Sequence, residues 1–351
     1  MTGPKEYGVF LPVANGGWIV SRNTPPLDGG WVQNRDAALV AEEHGFDFVM
    51  AMGKWRGFGG ATDHWGTSLE AVTMMAGIAA VTRKVKVWAT LHAILHNPAV
   101  AAKMIATLDH ISRGRAGLNI VAGAYRGEFE QMGAWDAGLD HDARYDLTEE
   151  WTQIVKQLWR VPKVTFKGKY FDFQDCVSEP KPLQPPFLIC AGMSKRGFEF
   201  SVREADGCFI GGRDRGETSD ASRRAKDLAA QLNKEIRTYC MMTVISAETD
   251  AQAEAKAEKY RDGLDEGAVL GMLESYGVSI SGEGGNAMTA RAQGAFMTQT
   301  VVGSPATCAG KIEAFLRDCD IDGLMFIYDD YLQGLRVTGE KILPQLRKAF
   351  A

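Results

Sequence analysis

The sequence contains no apolar run as long as the ~18 residues that suggest a membrane-spanning helix, so we expect no membrane span. The first residues lack a basic region followed by an apolar core, and we therefore expect no secretory signal and a cytoplasmic location. No block of lysine and arginine is present either: 39 basic residues stand against 44 acidic ones, for a net charge of −5. Nucleic-acid-binding proteins normally carry a basic stripe, so we expect neither nucleic acid nor membrane as a partner.

Several motifs of familiar enzyme classes are also absent. The six cysteines form no C-x-x-C pair, and we expect buried, reduced thiols. His92 and His96 are four residues apart with no glutamate between them, so the zinc motif H-E-x-x-H is missing and we predict no metal site. There is no G-x-S-x-G, no G-x-G-x-x-G and no G-x-x-x-x-G-K-[ST]. An oxidoreductase with this sequence would therefore receive its reducing equivalents from elsewhere.

The sequence does contain a regular alternation of short apolar runs and segments with helical periodicity. The strand-like run 84–91, for example, is followed by a helix-like segment at 98–112 that begins with proline. Eight such strands, each followed by a helix, predict an α/β fold of the (β/α)8 TIM-barrel type, with an open doubly wound sheet as the alternative. We predict a single domain over 1–351 with insertions at about 160–186 and 264–300, and we expect the second insertion to cover the site.

In a barrel of this kind, ligands bind at the carboxyl ends of the strands, in the loops that follow them. Candidates for substrate contact are therefore the aromatic and cationic residues that follow the first four predicted strands: Trp18, Arg56, His92, His96, Tyr125 and Arg126. Asn119 differs from all of these because it is a polar residue inside an apolar strand. Its position predicts a functional role at the strand end.

The stretch CAGMSKRG follows the fifth predicted strand, and its residues Gly192 and Ser194 form a turn that opens a helix. Free backbone N–H groups and a hydroxyl at a helix start suit a phosphate group. Simple capping of the helix by Ser194 explains the same residues equally well. The barrel topology favours the phosphate, because this turn lies on the functional face.

Characteristic stretches occur along the whole chain, and they include VFLPVANGGW, FDFVMAMGKWRGFGG, ATLDHISRGRAGLNIV, RYDLTEEW and LICAGMSKRGFEFS. Together with the asparagine of the fourth strand, they resemble the bacterial luciferase-like, flavin-dependent monooxygenases. Within that family they are similar to the pyrimidine monooxygenase RutA group.

The resemblance implies a flavin site and an oxygen pocket. The positions matching flavin contacts in that group are Gly53, Lys54, Asn119, Glu128, Arg144, Tyr145 and Ser194, and the turn residue Gly192 joins them. Thr90 and Asn119 match the residues that line the pocket where dioxygen meets the flavin. Met50 would supply an apolar wall of the same pocket.

The implied activity is that of a two-component monooxygenase. A separate flavin reductase would use NAD(P)H to supply reduced FMN (FMNH2), and reaction with O2 would give a flavin peroxide at N5. This species would cleave a C–N or other carbon–heteroatom bond in a small electron-poor molecule such as a pyrimidine or another N-heterocycle. We also expect a homo-oligomer.

The predicted substrate wall departs from the pyrimidine monooxygenase pattern. That pattern has Gly-Trp and then Gln-Lys-Pro after the strand-four asparagine, whereas this chain has GAYRGEFE. Two histidines, His92 and His96, also replace small and hydroxyl residues. A sulfone, a chlorinated aromatic or riboflavin are therefore alternative substrates for the same fold and flavin. A non-catalytic flavin-binding protein is a further alternative, which the presence of both Thr90 and Asn119 disfavours.

Overall fold

The computed structural model describes residues 4–123, 125–277 and 286–351, and its centre is a closed barrel of eight parallel strands. Around the barrel the strands follow the order β1, β2, β3, β4, β7, β8, β9 and β11, and β11 pairs with β1. The strands are β1 Glu6–Phe10, β2 Phe48–Met50, β3 Lys86–His92, β4 Ala116–Val121, β5 Val164–Lys167, β6 Asp172–Cys176, β7 Phe187–Cys190, β8 Gly207–Phe209, β9 Arg237–Ser246, β10 Gln299–Gly303 and β11 Gly323–Tyr328. The predicted TIM barrel is thus confirmed.

Helices surround the barrel and return the chain from the end of each strand to the start of the next. They are α1 Trp31–Glu43, α2 Ala71–Val81, α3 Pro98–Ser112, α4 Arg126–Glu130, α5 His141–Arg160, α6 Lys195–Glu204, α7 Arg215–Gln231, α8 Asp250–Asp262, α9 Glu266–Ser275, α10 Ala287–Ala292, α11 Pro305–Cys319, α12 Tyr331–Val337 and α13 Leu343–Ala349, with a π-helical turn at Thr338–Ile342. Local sequence sets where they begin: α3 has Asn97 as its N-cap and Pro98 in its first turn, where proline fits without losing a hydrogen bond.

Aromatic side chains fill the lower part of the barrel interior. The ring of Trp88 on β3 stacks on Phe48 at 3.9 Å and on Phe187 at 5.1 Å, and Tyr239 meets it edge-on at 5.7 Å. Side chains of a strand alternate between its two faces, so the residue two places after Trp88, Thr90, also points inward but nearer the carboxyl end. The aromatic layer therefore forms a floor beneath the mouth of the barrel.

The two predicted insertions carry secondary structure of their own. Residues 160–186 contain the antiparallel pair β5–β6. Residues 264–300 contain α9, α10 and the start of β10, which the weak periodicity of this segment did not predict. Strand β10 pairs with β9 along the same edge that β8 occupies nearer the amino end, so the insertion leads into a strand that extends the barrel wall. Residues 278–285 of the predicted insertion lie outside the described residues.

Two further sequence expectations concern thiols and membranes. All six cysteines are free, five of them buried and Cys176 half-buried, in agreement with the expectation of reduced thiols. In the ranges that the structure covers, no helix combines the length and apolarity needed to cross a membrane.

Candidate active site

Thr90 and Asn119 form a buried polar pair at the mouth of the barrel. They are neighbours in the register of β3 and β4, and the Asn119 amide Nδ2 donates to the Thr90 Oγ1 at 3.1 Å. The Thr90 hydroxyl in turn donates to the carbonyl oxygen of Ala51 at 2.7 Å, which fixes the orientation of both side chains. The pair therefore presents the Asn119 Oδ1 in a defined position.

The Asn119 Oδ1 is buried and accepts no hydrogen bond from any residue that the structure describes. An unsatisfied buried acceptor costs roughly 1–3 kcal/mol, so proteins seldom retain one without a reason. A ligand with an N–H or O–H group at this point would remove that cost. Met50, the last residue of β2, is also buried and lies on the neighbouring strand to Thr90.

Lys54 and Glu128 form a second buried pair. The Lys54 Nζ lies 3.2 Å from a carboxylate oxygen of Glu128, and their side chains are only 2% and 1% exposed. The other oxygen of Glu128 accepts a hydrogen bond from the backbone N–H of Trp55. Burial lowers the pKa of the Lys54 ammonium below its usual value, and the carboxylate of Glu128 opposes this shift.

Aromatic rings surround the ammonium group of Lys54 on its other sides. Its Nζ lies 3.7 Å from the ring centroid of Tyr125 and 4.8 Å from that of Phe58, distances that give favourable cation–π contacts. The structure thus brings together three predicted site residues: Lys54 from the loop after β2, Tyr125 from the loop after β4, and Glu128 from α4.

The backbone of Gly53 lies directly against the ring of His92. A Cβ atom on Gly53 would lie 2.9 Å from the His92 Cε1, so only glycine permits this approach. Burial lowers the pKa of His92 to about 3, and the nearby His96 and Lys54 act in the same direction. His92 is therefore a neutral ring at physiological pH, packed edge-on against Phe129 at 5.3 Å.

The start of α6 gathers hydroxyl groups. Ser194 caps the helix, its Oγ accepting from the Gly197 N–H at 3.1 Å. A Cβ atom on Gly197 would lie 2.5 Å from the Tyr145 hydroxyl and 2.9 Å from the Ser194 Oγ, so both hydroxyls converge on the first helical turn. At Gly192 a Cβ would lie 2.5 Å from the Gly197 carbonyl oxygen, which explains the glycine. Backbone N–H groups and hydroxyls at a helix start form a suitable cradle for a phosphate.

Arg144 precedes Tyr145 on α5 and faces a different direction. Its Nε donates to the carbonyl oxygen of Gly123 at 3.2 Å and its Nη1 to that of Leu139 at 3.0 Å. The guanidinium also lies over the ring of Trp135, 4.7 Å from its centroid. These contacts hold Arg144 beside the loop that follows β4.

Two of the predicted substrate residues lie at the surface, a third is buried in an aromatic cluster, and a fourth lines a cavity. Arg126 is exposed and pairs with Glu130 along α4 at 2.7 Å. Arg56 is exposed as well, and its Nη1 reaches the Gly127 carbonyl oxygen at 3.4 Å. Trp18 is buried in an aromatic cluster, 5.0 Å from Trp65. His96 lines a cavity beside the ends of β3 and β4.

Tyr276 is a site residue that sequence reasoning missed. It follows α9 in the second insertion, and its hydroxyl hydrogen-bonds the hydroxyl of Tyr125, with the two rings 4.7 Å apart. Burial raises the pKa of both phenols, so both stay neutral. The only signal in the sequence is an aromatic residue in a glycine-rich segment, which does not by itself indicate a site.

Metal ligands do not cluster in the regions described: no group of three or more His, Cys, Asp or Glu side chains there could hold a metal ion. The chemistry of the mouth is instead that of amide, hydroxyl, ammonium and aromatic groups. Such groups suit a planar organic cofactor with a phosphate tail.

Comparison with known proteins identifies the family. Residues 5–322 match the family model "Luciferase-like monooxygenase". The chain is 36% identical over 346 residues to the pyrimidine monooxygenase RutA of Acinetobacter baylyi, with 97% of this chain and 94% of the relative covered. It is 37% identical over 352 residues to the enzyme of the same name from Variovorax paradoxus, with the same shares covered. The chain therefore belongs to the luciferase-like monooxygenases and is a flavin-dependent monooxygenase.

Solved structures agree on the fold. A riboflavin lyase (RcaE) with modified FMN and riboflavin superposes with a TM-score of 0.89 at 20% identity, covering 98% of this chain and 92% of that one. The long-chain alkane monooxygenase LadA gives a TM-score of 0.84 at 19% identity, covering 99% and 92%. At such low identity these likenesses establish the barrel and leave the substrate open.

Proposed function

We propose that this protein is a two-component monooxygenase that uses reduced FMN and dioxygen to break a C–N or other carbon–heteroatom bond in a small, electron-poor substrate. A pyrimidine or another N-heterocycle is the substrate class we favour. The observation that carries the proposal is the Thr90–Asn119 pair, with its unpaired acceptor at the mouth of the barrel. The names of the full-length relatives support the choice of substrate.

The residues present fit FMN. Ser194, Tyr145 and the start of α6 would hold its phosphate, and the Asn119 Oδ1 would accept a hydrogen bond from its ring system. The ammonium of Lys54 would provide positive charge near the same ring, with Gly53, Glu128 and Arg144 as the other predicted contacts. Bound reduced FMN would supply the electrons that activate dioxygen.

The protein would orient the reacting groups and exclude water from the site. The hydrogen bond from the Thr90 hydroxyl to the Ala51 carbonyl holds the Asn119 amide in one orientation. Met50 and the aromatic floor are buried and apolar, and they would keep water from the space above them. Such preorganised, water-poor sites favour productive encounters between bound reactants.

A separate reductase would deliver the reduced flavin. The chain has no G-x-G-x-x-G segment for a nicotinamide dinucleotide, so we infer that NAD(P)H acts only through that partner.

Product mass spectrometry with 18O2 tests the proposal. The protein, an FMN reductase and NADH would be incubated with uracil and, in parallel, with other N-heterocycles, dimethyl sulfone, a chlorophenol and riboflavin. We expect one labelled oxygen in the product of an N-heterocycle. Label only in the sulfone, chlorophenol or riboflavin product would replace the proposed substrate class, and no labelled product at all would favour a non-catalytic flavin-binding protein.

A further inference from the structure

Helix α9 of the second insertion is fixed to the loop that follows β2. Asp265, its N-cap, accepts hydrogen bonds from the backbone N–H of Thr62 at 2.7 Å and from the Thr62 hydroxyl at 2.8 Å. Further along the helix, Gly271 lies so close to the same loop that a Cβ atom there would collide with the carbonyl oxygen of Phe58. The loop that holds α9 is also the one that carries Lys54, so the end of α9 has a defined position relative to that ammonium group.

Tyr276 is the residue at that end. It is the C-cap of α9, and its hydroxyl hydrogen-bonds the hydroxyl of Tyr125, the N-cap of α4. The same hydroxyl lies 4.0 Å from the sulfur of Met288 at the start of α10. Among the described residues the Tyr125 hydroxyl has no other hydrogen-bond partner, and burial raises the pKa of both phenols. Each hydroxyl therefore depends on the other.

The ring of Tyr125 connects this hydrogen bond to Lys54. The Lys54 Nζ lies 3.7 Å from the centroid of that ring on one side and 3.2 Å from the Glu128 carboxylate on another, and its side chain is only 2% exposed. A buried ammonium is stabilised by contacts of this kind only while they keep their geometry. If the Tyr125 ring moved away, water would reach the ammonium group from that side.

We propose that Tyr276 is a positioning residue: its hydroxyl holds the ring of Tyr125 against the ammonium of Lys54 and thereby excludes water from that part of the mouth. Tyr276 acts only through Tyr125. The proposal assigns the Tyr125 hydroxyl to Tyr276 and leaves the Tyr125 ring as the part that faces the site. It rests on the proposed function, to which it adds a residue from the second insertion.

Chemical labelling of the protein without flavin tests the positioning directly. Limited acetic anhydride would acetylate the lysines, and peptide mass spectrometry would give the rate at Lys54 relative to Lys163, whose side chain is 62% exposed. Tyr276→Phe should raise the Lys54 rate about tenfold, because an unpaired Tyr125 hydroxyl favours local opening, and Tyr125→Phe should do the same. The double variant has neither hydroxyl left unpaired, so Lys54 should be protected again.

Turnover of the same variants tests whether the positioning matters for the reaction. The ratio of oxidised product to oxygen consumed would be measured with an FMN reductase, NADH and an N-heterocycle. Each single variant should lower this ratio about tenfold and release more hydrogen peroxide, and the double variant should recover most of the loss. Tyr260→Phe is the matched control: it removes a phenol hydrogen bond to Asp329 at 2.5 Å on α8 and should change neither the ratio nor the labelling of Lys54.

Unchanged labelling of Lys54 in Tyr276→Phe would overturn the proposal, and so would a double variant that is no better protected than the single ones. Restored protection without restored product would assign the Tyr125 hydroxyl to the substrate and overturn it as well. An unchanged product ratio in the single variants would limit Tyr276 to a structural role. If the unaltered protein forms no oxidised product, the proposed function fails, while the labelling still decides whether Tyr276 holds the Tyr125 ring in place.

Discussion

Glu6 at the base of the barrel and Asn119 at its mouth differ in how far their polar atoms are satisfied. At the base, Glu6 pairs with Lys86 at 2.7 Å and Arg237 at 3.1 Å and accepts a hydrogen bond from the Tyr239 hydroxyl at 2.5 Å. At the mouth, the Asn119 Oδ1 has no partner among the described residues. The satisfied carboxylate of Glu6 fits a structural role, while the unpaired acceptor of Asn119 beside the flavin-contact residues fits a ligand. The contrast between these two residues is visible without reference to any relative.

The largest expected difference is in the free energy of unfolding when the acidic residue of each ion pair is replaced by its neutral amide. Glu128→Gln leaves the ammonium of Lys54 buried without a counter-charge, and we expect a loss of about 3 kcal/mol in the free energy of unfolding. Glu6→Gln at the base should cost only about 1 kcal/mol, because Lys86 and Arg237 are 46% and 36% exposed and remain solvated. Urea unfolding of both variants measures these losses in the free energy of unfolding. Equal losses would contradict the expected difference between the buried and the exposed ion pair.

Asn119→Ala should separate stability from activity. Its product yield should fall about a hundredfold, in line with the loss of one preorganised polar group from an active site. The free energy of unfolding should change by less than about 1 kcal/mol, because the loss of one hydrogen bond to Thr90 is offset by removal of an unsatisfied acceptor. Oxygen uptake, product and urea unfolding would be followed together. Full product yield in this variant would contradict the role assigned to Asn119.

The two ends should also lose stability in different pH ranges. Folding lowers the pKa of His92 from 6.5 to about 3, so the unfolded chain binds more protons below pH 6.5 and stability falls as pH decreases from there. This contribution is about 1.4 kcal/mol per pH unit until pH approaches 3. Glu6 has a pKa lowered from 4.5, by its hydrogen bonds to Lys86 and Tyr239 against the effect of burial, so its contribution is lost only below pH 4.5.

Urea unfolding at a series of pH values between 7 and 5 tests whether His92 and Glu6 act in these different pH ranges. His92→Gln should reduce the slope of stability against pH in that range. His64, whose pKa burial lowers to about 4, should account for a similar share, and the variant Glu6→Gln should leave the slope unaltered. If the slope of stability against pH in this range changed in Glu6→Gln and not in His92→Gln, the loss of stability would be due to Glu6 and the prediction would be wrong.

The smallest effect is expected at α6. Gly197→Ala places a methyl group against the hydroxyls of Tyr145 and Ser194, and overpacking of roughly 1–3 kcal/mol should weaken FMN binding about tenfold. Gly310→Ala on α11 meets no atom within 4 Å and should leave FMN affinity unchanged while stabilising the helix slightly. Quenching of FMN fluorescence measures both. Unchanged affinity in Gly197→Ala would place the phosphate elsewhere.

Much of the fold follows from the sequence because the barrel strands are uniformly apolar and the helices are periodic. The bounds of α3 agree with the predicted helix at 98–112. The strand predicted at 84–91 lies at Lys86–His92 in the structure, since an apolar run does not reveal where the pairing with its neighbours starts and stops.

The candidate site is predictable where one residue breaks a pattern and unpredictable where contacts come from distant segments. Asn119 stands out because it is polar within an apolar strand. Tyr276 and Trp135 do not break any pattern in the sequence. Only the folded chain shows that Tyr276 contacts Tyr125 and that Trp135 contacts Arg144. Residue spacing carries no information about contacts of this kind.

Strand β10 has a practical consequence for engineering. It occupies the edge of β9 beyond the point where β8 ends, so a shortened chain without residues 264–303 would expose a row of backbone N–H and C=O groups. An unprotected strand edge is a template for pairing with other chains, and such a truncated protein should aggregate. Loop exchange aimed at new substrates should therefore keep β10 and replace only what precedes it.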